Sequence, residues 1–260
     1  MPEHGHHGHG GEMTPEQQKQ MIEQQLNLSR NLGQIKYKIA VMSGKGGVGK
    51  STIVSLIGLA LKRKNNKVLL IDADIGLSNL ELILHTEKSP YDLEDVLNGE
   101  IEIDSVYNYL DKNLAIVNLY NHISINEFDE EKVLNIFPRL IENFNVVIID
   151  APSGIEKGFE FAVKSCTEAI IVINQTNASV SDAIKVEYIL KNIYQKPYYF
   201  ILNKYSSKNS KIFFKKIGYI SNKIKFFIKN DEKISQDKFI SEALLEKLYL
   251  VVENEKEYNI

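Results

Sequence analysis

Residues 44–52 read Gly-Lys-Gly-Gly-Val-Gly-Lys-Ser-Thr, and the fold is decided by this stretch. Gly44 and Gly49 stand five apart and are followed by Lys50 and Ser51, the spacing of a phosphate-binding P-loop. Glycines let the backbone curl so that successive N–H groups converge on phosphate oxygens, and the helix that follows offers its positive N-terminus to the same anion. Lys50 is then placed to meet the β and γ phosphates, and the Ser51 hydroxyl to ligate magnesium. The expected binding set is Gly44, Lys45, Gly46, Gly47, Val48, Gly49, Lys50, Ser51 and Thr52, with ATP and Mg2+ as the ligands.

Working outward, the loop follows the short apolar run "KYKIAVM" at 36–42. Similar runs rich in Val, Ile or Tyr occur at 66–74, 113–119, 145–152, 168–174 and 197–204, with a further candidate at 223–228. Such near-continuous apolar runs are the mark of parallel strands covered on both faces. Helical patterns fall between them at about 50–64, 78–85, 130–143, 157–166 and 179–193, with a closing helix in "SQDKFISEALLEKLYLVV". The alternation predicts a doubly wound α/β fold: a mostly parallel sheet of about seven to eight strands flanked by helices.

Three acids end two of these runs. Asp150 closes "VVIID", as a carboxylate that holds magnesium through its hydration shell would. Asp72 and Asp74 lie two apart at the end of "NKVLLIDAD", so strand alternation sends both side chains to one face at the nucleotide edge. Ser51, Asp72 and Asp150 are the candidate metal residues, and at least one of Asp72 and Asp74 should address the metal or the attacking water.

Composition narrows the field. A formal net charge of −3 and a pI near 6.1 argue against a chain that is basic throughout, so any basic surface is local. Cys166 is the single cysteine, which excludes a disulfide framework within one chain and leaves a cysteine-only cluster site needing a second subunit. No run is apolar for long enough to cross a bilayer, and the N-terminus does not resemble a signal peptide, so a cytoplasmic location is expected. Residues 1–33 read as a His-rich disordered tail (His4, His6, His7, His9), which could bind zinc, nickel or copper or simply be solvated, and a short polar helix. Residues 34–260 read as the P-loop domain.

The additional lysine within the loop, Lys45 in "SGKGGVGKST", resembles the deviant Walker A box of the MinD/ParA superfamily of P-loop ATPases. "LLIDADIGLSNLELIL" and the stretch from "VVIIDAPSG" to "VEYIL" are similar to the MinD branch, including its relatives that place flagella. The resemblance covers roughly residues 36–204. It implies a P-loop NTPase sheet of the SIMIBI type and a slow, partner-stimulated ATPase that forms a homodimer on ATP. It also implies roles for individual residues. Lys45 would reach the phosphates of the opposite subunit, Lys50 and Ser51 would serve the bound nucleotide and magnesium, Asp74 would position the hydrolytic water, and Asn203 would read the adenine. The catalytic candidates are thus Lys45, Lys50 and Asp74.

The segment "LGQIKYKIAVMSGKGGVGKST" also resembles Mrp/ApbC-type iron–sulfur carriers, but their Cys-x-x-Cys pair is missing and Cys166 stands alone inside a predicted helix, so no iron–sulfur cluster is expected. MinD proteins usually end in a basic amphipathic helix, whereas this sequence ends "VVENEKEYNI". Lysines crowd 203–230 among Tyr and Phe residues without an acid, a mixture suited to peripheral membrane contact, to DNA as in ParA relatives, or to a solvated face over core aromatics. The resemblance makes Asp182 a candidate contact for a partner protein and puts an adenine-side loop at "IKNDEKI", without the family's proline.

Overall fold

A computed structural model describes residues 26–121, 128–208, 210–230 and 241–253. The His-rich tail, the first part of the polar helix and part of the expected adenine-side loop lie outside the described residues. Of the polar helix, 26–32 is helical.

Among the described residues eight strands form one sheet: β1 (Tyr37–Ser43), β2 (Val68–Asp72), β3 (Asn108–Asp111), β4 (Leu114–Asn118), β5 (Val146–Ser153), β6 (Glu168–Ile173), β7 (Tyr198–Tyr205) and β8 (Ile224–Lys229). Their order is β3-β4-β2-β5-β1-β6-β7-β8. Only the pairing of β3 with β4 is antiparallel. The doubly wound, mostly parallel architecture expected from the alternating pattern is therefore the observed one. β1 lies between β5 and β6, so the chain reverses its direction of winding beside the strand that carries the P-loop, the point at which open α/β sheets bind ligands.

Besides the helical 26–32, eight α-helices accompany the sheet among the described residues: α1 (Lys50–Arg63), α2 (Leu80–Ile83), α3 (Leu93–Leu97), α4 (Glu130–Ile141), α5 (Phe159–Ser165), α6 (Asn177–Asn192), α7 (Ser210–Ile217) and α8 (Glu242–Val252). In α1, Ile53, Val54, Ile57 and Leu61 recur at helical spacing and are fully buried, while Lys62 and Arg63 lie in the last turn, where the helix dipole favours cations. With Leu245, Leu248 and Val252 of α8 they cover one face of the sheet, against Val41, Leu70 and Ile148. Helices α4, α5 and α6 cover the other, with Phe137, Phe161 and Val186 against Met42, Leu69 and Ile149. Truncating one such residue, as in Ile57→Ala, should cost about 2–5 kcal/mol.

α4 carries Pro138 in its interior, where the missing N–H and the ring disfavour helix. Burial of Val133, Phe137, Leu140 and Ile141 along one stripe, and the Asp129 side chain capping the Lys132 amide, hold the segment helical nonetheless.

Candidate nucleotide site

The loop 44–49 leaves the C-terminal end of β1 and enters α1 at Gly49, which has φ 93° and caps the helix. This left-handed conformation suits glycine, and a Cβ there would also fall 2.4 Å from the Asn203 side-chain nitrogen. α1 receives no side-chain cap and no acid in its first turn, so its leading amides stay available to an anion. Ser43 Oγ donates to the Lys45 carbonyl (2.9 Å), and the Gly154 amide donates to the Ser43 carbonyl (2.9 Å), tying the loop to the end of β5.

Two residues at the end of β7 brace the loop from its other side. Asn203 Nδ2 donates to the Val48 carbonyl (2.9 Å) and Lys204 Nζ to the Gly47 carbonyl (3.1 Å). Asn203 is buried and stands directly against the P-loop. In the sequence Asn203 is marked by the family resemblance alone; the Lys204 contact has no signal there beyond adjacency to it.

Lys50 is buried, its Nζ 3.3 Å from Ser153 Oγ and 4.0 Å from Asp150 Oδ1. Lys45 projects into solvent with no ion pair among the described residues. The loop's two lysines are thus sorted, one folded into its own cradle and one facing outward. Ser51 and Thr52 are half-buried in the first turn of α1.

Asp72 and Asp150 are register partners on the adjacent parallel strands β2 and β5, and Asn118 of β4 continues the same row. All three are buried on the α1 side, because their even-numbered strand neighbours Leu70, Ile148 and Ile116 pack there. The two acids have different surroundings. Asp72 accepts the amides of Asp74 (3.1 Å), Asn79 (2.9 Å) and Leu80 (3.3 Å), so its carboxylate organises the loop after β2. Asp150 Oδ1 is buried and has no hydrogen-bond partner.

Burial raises both carboxyls above their usual range. The three amides oppose this at Asp72, and Lys50 with a Ser51 hydrogen bond opposes it at Asp150. A buried acid with an orphaned oxygen beside Ser51 and Lys50 is chemistry that suits a divalent cation, since oxygen ligands are what Mg2+ requires.

Asp74 lies just beyond β2. Strand alternation had placed it on the same strand end as Asp72, but β2 stops at Asp72 and the chain turns, leaving Asp74 half-buried in the turn. Burial raises its carboxyl, while Lys50 pulls it down and Glu156 raises it further. Cys166 is corrected likewise: it is the extended residue after α5, not a helical one. It is buried with Sγ donating to the Val163 carbonyl (3.4 Å), and burial pushes its thiol up to about 11. Asp182, on α6, pairs with Lys185 (2.9 Å) and abuts Gly44 through its backbone.

Residues 39–250 match the model of the CobQ/CobB/MinD/ParA nucleotide binding domain. The septum site-determining protein MinD of Thermotoga maritima is 40% identical over 160 residues, 59% of this chain and 58% of that protein. Its namesake from Synechocystis is 42% identical over 152 residues, 57% of each. The chain thus spans less than two thirds of the length of these relatives. Among solved structures, the MinD cell division protein of Aquifex aeolicus superposes with a TM-score of 0.71 at 28% identity, covering 84% of this chain and 97% of that one. MinD complexed with Mg-ADP from Pyrococcus horikoshii superposes at 0.70 and 25% identity, covering 83% and 95%. Because the family model matches most of its length, the chain belongs to the CobQ/CobB/MinD/ParA nucleotide-binding family.

Proposed function

We propose that this chain is a MinD-like, MgATP-dependent switch that forms a homodimer on ATP, hydrolyses it slowly under stimulation by a partner protein, and regulates placement of the division site or of flagella. The observation that carries the proposal is the opposite disposition of Lys45 and Lys50. Lys50 is committed to its own cradle beside Asp150 and Ser153, whereas Lys45, on the same loop, is exposed to solvent with no ion pair among the described residues. A second copy facing this edge would receive Lys45 at its own phosphates, so that the terminal phosphate decides whether two copies stay together.

In this scheme the amides of 44–52 hold the phosphates and Lys50 neutralises the β and γ oxygens. Ser51 and Asp150 would hold Mg2+, with Asp72 fixing the adjoining loop; when bound, the ion neutralises charge on the phosphates. Asp74, reached by the field of Lys50 and Glu156, would orient the attacking water. Asn203 supports the loop and lies at the edge where the adenine would sit. The protein would work in the cytoplasm, with peripheral membrane contact at the inner face. Among the described residues no helix is long and apolar enough to cross a membrane.

Light scattering with ATP and with ADP tests the switch. Wild type should be dimeric with ATP and monomeric with ADP, Lys45→Ala monomeric with both, and Asp74→Ala a persistent dimer with ATP. An Asp74→Ala variant that stays monomeric with ATP would overturn the mechanism.

A further inference from the structure

The lysine-rich stretch between Asn203 and Asn230 divides into two groups once folded. Lys204 is spent on the Gly47 carbonyl, Lys223 on an ion pair with Glu187 (2.5 Å), and Lys225 lies over the Tyr199 ring at 4.4 Å. The aromatics are also taken up internally. Phe213 and Phe226 are core, and Tyr205, Phe214 and Phe227 stack on one another. Lys229, at the end of β8, is exposed on its own, whereas Lys208, Lys211, Lys215 and Lys216 lie on or just before α7, exposed and with no ion pair among the described residues.

Helix geometry places these residues together. Phe213 and Ile217, four apart, anchor α7 to the core, so Lys211, Ile212, Lys215 and Lys216 occupy the outward surface. Ile212 is three and four residues from Lys215 and Lys216 and is 60% exposed. Tyr219, 55% exposed, follows immediately; its hydroxyl donates to Glu187 Oε2 (2.7 Å), which fixes the ring against α6. The result is a cationic helix face carrying the exposed Ile212, with the exposed edge of Tyr219, whose ring Lys223 backs at 5.1 Å, in the turn just beyond it.

We infer that the outward face of α7 docks on an anionic lipid surface, with the lysines at the headgroups and Ile212 and Tyr219 seated between them. Charge complementarity supplies the attraction, and the uncovered aliphatic and aromatic side chains distinguish a bilayer from nucleic acid. A phosphodiester backbone gives Ile212 nothing to bury against. The face also has no arginine, the residue that grips phosphates and base edges bidentately. None of these residues belongs to the P-loop site, so the inference stands whether or not the nucleotide switch does.

The test is co-sedimentation of the full chain, without nucleotide, with phosphatidylglycerol vesicles, phosphatidylcholine vesicles and a nonspecific DNA duplex at low and high salt. Binding is expected to the anionic vesicles alone and to weaken with salt. Each basic side chain near such a surface is worth roughly a fivefold change in partitioning, so the charge-reversing triple variant Lys211→Glu/Lys215→Glu/Lys216→Glu should lose at least about a hundredfold. Ile212→Ser should weaken binding several-fold at unchanged charge. Far-ultraviolet circular dichroism and binding of a fluorescent ATP analogue, unchanged in both variants, would show that the fold and the P-loop are intact. Absence of vesicle binding at low salt, a triple variant that binds like wild type, an Ile212→Ser variant without effect, or tighter retention on the duplex than on vesicles would each overturn the inference.

Discussion

Gly44 sits so close to the backbone of Asp182 that a Cβ built on it would lie 2.2 Å from the Asp182 carbonyl carbon. The first glycine of the P-loop is therefore a packing surface for α6 as well as a flexible link. In Gly44→Ala, either α6 or the loop must shift. Overpacking of this kind costs about 1–3 kcal/mol, and displaced loop amides should weaken nucleotide binding at least about tenfold. Thermal melting and titration with a fluorescent ATP analogue measure the two effects; a variant with unchanged affinity would show that the loop does not depend on α6.

Asn203→Ala removes the donor to the Val48 carbonyl from a buried position, at an expected cost of about 1–3 kcal/mol. Nucleotide affinity should fall along with stability, because the loop loses its brace on the β7 side. If calorimetry finds wild-type affinity in a destabilised variant, Asn203 supports the fold alone.

Asp150 makes a prediction with a sign. Burial lifts its carboxyl, so the folded chain keeps a proton that the unfolded chain releases near 3.8. Stability without nucleotide should therefore fall as pH rises from that value through the raised one. Asp150→Asn should flatten this slope and raise the melting temperature near neutral pH, by about 2–4 °C for each kcal/mol recovered. The same substitution should abolish stabilisation by magnesium nucleotide. Melting curves across the pH range check both, and a slope left unchanged would mean that Asp150 is not the group responsible.

Glu187 works in the opposite direction. Burial alone would raise its carboxyl, but hydrogen bonds from Lys223, Tyr219 and Tyr198 outweigh this and hold it below its ordinary value of 4.5. Its stabilising contribution is present above that value and is lost as pH falls through the depressed one. Lys223→Met should cost about 1–3 kcal/mol at neutral pH and much less under acid conditions, since the partner carboxylate is then protonated. Urea titrations of wild type and variant at several pH values give the difference directly.

The parallel strands were legible because each is a run of apolar residues between helical patterns, and burial on both faces forces that composition. β3 was not, because an antiparallel edge strand reading "NYLD" is only half-buried and needs no apolar run. α3 is a single turn set by the reciprocal capping of Asp92 and Asp95, and α7 is only 8 residues long, so its apolar spacing is too brief to stand out from the lysine-rich sequence around it. In the site, the glycine loop and the acid at the end of β5 could be read from spacing. The engagement of Asp72 by three amides of its own loop could not, since it depends on how the chain folds back after β2. The surroundings of Asn118, whose amide atoms have no partner, were equally invisible for want of any motif.

The place of β1 between β5 and β6 also sets an order of events during synthesis. The strand bearing the glycine loop leaves the ribosome well before both of its lateral neighbours. The nascent chain must carry that segment unpaired until they emerge, and association across so great a sequence separation is intrinsically slow. Acquisition of nucleotide affinity would then serve as a late milestone of maturation.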